Sequence, residues 1–162
     1  MTLDLYLKQG YEGRPGLLDP TARQQSVRNE SGSSIAPGRL CVVTGGSDIP
    51  TVKLISASSD HPLGITLNTT MAGDIDVALP DADVGTVLYR GPIYVVPEVA
   101  VDPSDPVYVR HTSHSSPGTY DAIGRFRNDA DTDGSDTAME LPKCRWISAS
   151  AAGGLAILEF AL

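Results

Sequence analysis

The sequence predicts an all-β protein: a compact β-sandwich or barrel-like (β-tulip-like) domain with an extended N-terminal arm. Three observations carry that expectation. Short runs rich in β-branched residues recur between Leu40 and Phe160. Gly, Pro, Asp and Ser bound each run, as the turns between strands require. No stretch shows an amphipathic helical period, and 12 prolines and 16 glycines in 162 residues favour turns over helices.

The chain divides by composition at residue 38. Residues 1–38 hold Gly10, Gly13, Pro15-Gly16, Asp19-Pro20, Gly32-Ser33-Ser34 and Pro37-Gly38, with few apolar side chains between them. Such a segment has too little apolar surface to fold by itself. It reads as an arm that orders against a neighbouring molecule, with Tyr6, Tyr11, Leu17 and Leu18 as its candidate anchors and with room for one extended strand from Gln24 to Glu30. Residues 39–162 read as one β-rich domain.

Within that domain the strands follow in order. Leu40–Val43 and Val52–Ile55 are apolar runs joined through Gly45-Gly46-Ser47, which reads as a hairpin turn. Leu63, Ile65 and Leu67 share one face by the strand period of two, with Gly64 and Thr66 on the other. Val84–Tyr89 forms the next run. Gly91-Pro92 separates it from Ile93–Val96, because proline can open a strand but is excluded from a central one. Asp102-Pro103 and Asp105-Pro106 mark the turn before Val107–Arg110, and His111–Tyr120 reads as a polar loop. Gly124–Arg127 and Lys143–Ile147 are strands on either side of an acidic loop. Leu155–Phe160 closes the fold, with apolar residues on both faces that point to burial in a core or a subunit contact. Trp146, the single tryptophan, sits in a strand where core packing is its ordinary role.

Charge and cysteine content narrow the function classes. The formal net charge is −8, so the basic stripe that phosphate binding needs is missing, and nucleic acid is an unsuitable partner. No run reaches the roughly 18 apolar residues of a membrane helix, and the first residues lack the basic and apolar regions of a signal peptide. A cytoplasmic site of synthesis is expected. Cys41 and Cys144 fall in strand-like runs and read as buried thiols, with a single bridge between neighbouring strands as the alternative.

One motif points to a cation. Asp129-Ala130-Asp131-Thr132-Asp133-Gly134, with Glu140 after it, matches a calcium-loop pattern in which alternate carboxylates converge on one ion. Its flanks read as strands rather than the helices an EF-hand needs, so a solvated acidic loop is the leading reading and a calcium-dependent β-sandwich binding module the alternative. His111 and His114 lie in a Ser-rich loop rather than at metal-ligand spacing on a helix, and Ser113 has no oxyanion loop or nucleophile elbow beside it. No catalytic group can be assembled, and no cofactor is expected.

Three stretches together carry a family resemblance. They are Ile35–Val43; His61–Leu67 with Gly91–Val95; and Gly124–Asp131 with Cys144-Arg145-Trp146 and Ala151–Phe160. In order and spacing the chain resembles the head decoration, or cement, proteins of tailed bacteriophages over about residues 10–162. That resemblance implies a β domain docked on the outer surface of the capsid, bridging major capsid proteins and stabilising the expanded shell. It implies the phage major capsid protein and further copies of the chain as partners, a homotrimer first and a dimer second. It also implies an extended arm that reaches a neighbour, assembly in the host cytoplasm, and no catalytic residues.

Overall fold

A computed structural model of the chain describes residues 12–16, 22–68, 77–132 and 135–162. Every regular element among them is a strand. In chain order these are β1 (Arg23–Asn29), β2 (Leu40–Gly45), β3 (Thr51–Leu54), β4 (Pro62–Thr66), β5 (Val84–Val95), β6 (Tyr108–Arg110), β7 (Phe126–Arg127), β8 (Ala138–Glu140), β9 (Arg145–Trp146) and β10 (Ala156–Ala161).

Five strands close on themselves. The order β1-β3-β2-β4-β5 returns from β5 to β1, so these five have no free edge between them. All pairings are antiparallel except β1 with β3, which is parallel with Arg28 opposite Thr51. Beyond the barrel, the second half of β5 carries β10, and β10 carries β9. A separate three-stranded sheet runs β7-β6-β8.

The strand period of two sorts the side chains into two cores. Val27, Cys41, Val52 and Val87 point into the barrel lumen and meet Ile35 from the β1–β2 connection. Their neighbours Leu40, Val42, Ile65 and Leu88 face outward and pack with Val109 and Phe126 of the small sheet and with Trp146, Leu158 and Phe160 of β9 and β10. Trp146 is buried in this second core and donates its indole N–H to the Pro106 carbonyl at 3.2 Å. Cys41 and Cys144 are both buried free thiols, and burial pushes the Cys41 thiol up to about 12.

Two elements differ from the sequence reading. β1 lies within the span read as an arm, yet it is a barrel strand, paired with β5 from Arg23↔Arg90 to Arg28↔Val84 and burying Val27 completely. The barrel therefore begins before residue 39, and the strand expected near Gln24–Glu30 is part of it. β5 is continuous through Gly91-Pro92 instead of breaking there. Gly91 takes a φ of 123°, a conformation only glycine adopts readily. The Pro92 carbonyl accepts the Gly16 N–H at 2.6 Å, so the ring's missing donor falls on the side of residues 12–16 and leaves the β10 ladder intact. The β2–β3 hairpin turns where expected, with Gly46 at φ 96°.

Candidate functional site

Behind the small sheet the structure gathers charges that sequence reasoning did not single out. Val109 and Phe126 face the apolar core, so the alternate residues Arg110 and Arg127 face the other way. There they meet Glu98, whose side chain is fully buried and whose backbone N–H is tied to the Phe126 carbonyl at 3.0 Å. Arg110 forks onto Glu98, with Nε 2.8 Å from Oε1 and Nη2 2.8 Å from Oε2. Arg127 Nη1 adds a contact to the same carboxylate at 3.1 Å. The fourth donor to Glu98 is the Ala122 N–H at 3.0 Å.

The acidic loop closes the network from outside. Asp131 Oδ2 accepts from Arg110 Nη2 and lies 2.7 Å from Arg127 Nη1. Asp129 Oδ1 accepts from Arg127 Nε at 2.7 Å, and Asp121 lies 3.4 Å from Arg110. Thr137 Oγ1 accepts from Arg110 Nη1 at 3.1 Å. Desolvation works against the charge of Arg110, but the hydrogen bonds to Glu98 and Asp131 outweigh it and hold its pKa above the ordinary arginine value. Burial likewise works against the charge of Asp131, and the bond from Arg110 with the field of Arg127 outweighs it, holding that carboxyl below its usual range. Each charged group thus meets an opposite charge in hydrogen-bonding geometry, the condition for keeping ions inside a protein.

This arrangement decides how the calcium pattern is used. Asp129 through Oδ1 and Asp131 through Oδ2 are engaged by guanidinium groups. Glu140 stands on β8 opposite Tyr108, and Asp133 lies outside the described residues. Asp131 itself takes a left-handed φ of 48°. A pattern of alternate carboxylates can therefore serve arginines from neighbouring strands as well as a cation. Among the described residues no group of three or more His, Cys, Asp or Glu side chains is placed to hold a metal ion.

The remaining candidates are placed as follows. His111 is buried beside β8, its N–H donating to the Thr137 carbonyl and its Nδ1 2.8 Å from Thr112 Oγ1; burial lowers its pKa, with Asp60 and Asp136 acting in the opposite sense. His114 Nδ1 accepts the Ser116 N–H at 3.0 Å, so the two histidines serve separate local bonds. Tyr6, Tyr11, Leu17 and Leu18 lie outside the described residues. The part of the arm region that is described, residues 12–16, is firmly tied down. Gly13 N–H donates to the Tyr94 carbonyl at 2.9 Å, and the Glu12 carboxylate lies 2.6 Å from Arg39 and 3.7 Å from Arg125.

Among the described residues, an apolar row crosses the outward face of one sheet. Ile147, 46% exposed, donates its N–H to the Ile157 carbonyl, and Ile157 pairs with Tyr94 of β5. Leu155, 41% exposed, lies two residues before Ile157 and shares its face. Ala156, Leu158 and Phe160 on the opposite face are buried, so the doubly apolar pattern of Leu155–Phe160 reflects one core face and one outward face. Arg145 and Glu159 form an ion pair beside the row. The sequence signal for the charge cluster was fainter: Glu98 is the one ionisable residue in the run Val95–Val101.

Comparisons with known proteins agree with this architecture. The model of a family described as structural cement protein (E217 gp24/Pam3 gp6) matches residues 2–161. Among solved structures, a chain from the capsid of Myoviridae Phage XM1 superposes with a TM-score of 0.64 at 16% identity, covering 96% of this chain and 94% of that one. A chain from the head fiber gp8.5 N base of bacteriophage phi29 superposes with a TM-score of 0.50 at 14% identity, covering 87% of this chain and 95% of that one. At those identities the likeness is one of fold. No curated protein matches.

Proposed function

Because this chain belongs to the structural cement protein family of phages, we propose that it binds the outer surface of a capsid, bridges neighbouring major capsid proteins and holds the expanded shell against the pressure of packaged DNA. The observation that carries this reading is the family match, which spans residues 2–161 rather than one motif. The protein acts by binding and transforms no substrate.

The physics of the role is permissive. A shell repeats each contact many times, so a single contact can be weak. The protein stabilises the expanded state only by binding it better than the unexpanded one. Two surfaces are proposed to carry the contact. One is the outward row Ile147, Leu155 and Ile157, apolar area on an otherwise acidic chain. The other is the N-terminal arm with Tyr6, Tyr11, Leu17 and Leu18, launched from the anchor at Glu12. A homotrimer is the proposed assembly and a dimer the second choice, with docking after synthesis in the host cytoplasm.

Co-sedimentation with purified expanded and unexpanded shells tests the proposal. Binding to the expanded shell, with a raised temperature of shell disruption, is the expected result. Ile147→Asp with Leu155→Asp should weaken that binding at least tenfold while leaving the isolated fold intact. Equal or absent binding to both shells rejects the reading.

A further inference from the structure

The small sheet holds a further buried titratable group, outside the charge cluster. His111 lies one residue beyond β6 and is 7% exposed. Its N–H donates to the Thr137 carbonyl at 2.9 Å, which fixes it to the residue before β8. One ring nitrogen, Nδ1, lies 2.8 Å from Thr112 Oγ1. The other, Nε2, is buried and has no hydrogen-bond partner among the described residues. Unpaired buried polar atoms are rare in folded proteins, and each calls for an explanation.

Three charged groups face the ring, and none of them bonds Nε2. Asp60 acts on it from the β3–β4 connection, Asp136 from the acidic loop ahead of β8, and Arg110 from its own strand. Asp60 is already committed. Its Oδ2 accepts from the Ser56 N–H at 2.8 Å, the Ser56 hydroxyl at 3.0 Å and the Ala57 N–H at 3.1 Å. The Ser56 N–H, first among these, holds the Asp60 carboxyl below its usual range, so Asp60 stays ionised wherever a histidine titrates. Asp136 is exposed, and water screens its charge.

A proton would bring charge to a place without an acceptor for it. In the neutral ring one nitrogen donates and the other accepts, so the Thr112 hydroxyl satisfies Nδ1 in either tautomer. In the charged ring both nitrogens donate, and Nε2–H is left unmatched in a buried site. Burial is the largest influence and lowers the pKa of His111; Arg110 adds to it, and the pull of Asp60 and Asp136 does not overcome it. The site also spans a junction. Leu40 and Ile55 enter the outer core from the barrel, Val109 and Phe126 from the small sheet, and the Leu40 N–H donates to the Gly124 carbonyl between them.

We infer that His111 is an acid-sensitive latch: its neutral ring holds the small sheet β6–β8 against the β3–β4 connection of the barrel, and taking up a proton there releases that contact. The sign follows from linkage. A histidine whose pKa is lowered by folding contributes stability that is complete above its unfolded value of about 6.5 and is lost as pH falls below it. One such proton changes the opening equilibrium by at most about tenfold per pH unit. Asp131 acts in a lower window, beneath about 3.9, so the two effects separate. The inference concerns the isolated protein, and its failure leaves the capsid reading untouched.

The test uses the purified full-length chain without capsids. The ring signals of the three histidines are followed by NMR from pH 8 to 4.5. Amide hydrogen exchange is measured at pH 7.5 and 5.5, corrected for the intrinsic rate, in the unaltered chain, in His111→Gln and in His114→Gln. His111 should titrate below about 6.5. Protection at residues 108–112 and 137–140 should fall about threefold or more at the lower pH, with β1 of the barrel unchanged. His111→Gln should abolish that fall, and His114→Gln should keep it. A ring that titrates at or above the ordinary value overturns the inference. So does protection that is equal at both pH values, a fall that survives His111→Gln, or a fall shared equally by β1. If His111→Gln does not fold, the ring titration and the exchange of the unaltered chain decide between them.

Discussion

Inside the barrel, Val27, Ile35, Cys41, Val52 and Val87 meet with no ionised group among them. Behind the small sheet, Glu98, Arg110 and Arg127 are as deeply buried, and all three are charged. The barrel can rely on apolar closure because five strands surround its lumen and satisfy one another's backbone groups. The small sheet cannot. Its strands are two or three residues long, too short to hold register by their ladders. The Glu98 carboxylate takes their place, tying β6, β7 and the Ala122 loop to one point. The contrast teaches that charge can organise short strands where hydrophobic burial is too little directional to do so. The cost is sensitivity, since a buried pair missing one partner is far worse than no pair.

The largest effect should therefore come from Glu98→Gln, which leaves Arg110 and Arg127 without their shared counter-charge. A loss of about 3–5 kcal/mol is expected. Urea unfolding would measure it, and hydrogen exchange should show the opening first in β6–β8, with the barrel following. Uniform opening of both regions would show that they are one cooperative unit and break the comparison.

Ile35→Ala probes the other side. Ile35 is 1% exposed, fills the lumen and exchanges two backbone bonds with Leu79. Removing its side chain should cost about 2–5 kcal/mol through lost burial and a residual cavity. This loss should be nearly independent of pH between 4 and 8, because no lumen residue ionises there.

The charged region should behave differently in acid. The folded state holds the Asp131 carboxyl below its ordinary value of about 3.9. A carboxylate depressed by folding contributes stability that is complete above its unfolded pKa and is lost as pH falls through and below that value. Stability measured by urea from pH 6 down to 3 should fall, and Asp131→Asn should flatten the slope. If the variant keeps the full slope, the acid sensitivity arises elsewhere.

How far the sequence revealed this molecule follows from the same contrast. The strands β2, β3, β4 and β10 were legible because apolar residues alternate or run uninterrupted between Gly, Pro and Asp. The continuity of β5 was not, because Pro92 is tolerated only through the particular side its nitrogen faces, which depends on residues 12–16. Nor was the barrel role of β1, whose exposed Arg23, Gln24, Ser26 and Arg28 hide the fully buried Val27 and Asn29. The charge cluster joins residues from position 98 to 137, and such a constellation leaves no local spacing to read. The acidic loop was conspicuous for the opposite reason: its pattern is local, yet Asp129 and Asp131 serve arginines on other elements.

The smallest effect should come from a pair that looks alike on paper. Arg145 and Glu159 are joined across β9 and β10, as Arg110 and Glu98 are joined behind the small sheet. Here, however, the Arg145 side chain is 73% exposed and that of Glu159 35%, so water competes for both ions. Pairs of this kind contribute about 0–1 kcal/mol and weaken with salt. Arg145→Ala should thus shift the urea midpoint only slightly, and less still in high salt. A loss approaching that of Glu98→Gln would mean that burial is not what separates the two pairs, and that geometry across a strand ladder suffices to make an exposed ion pair strong.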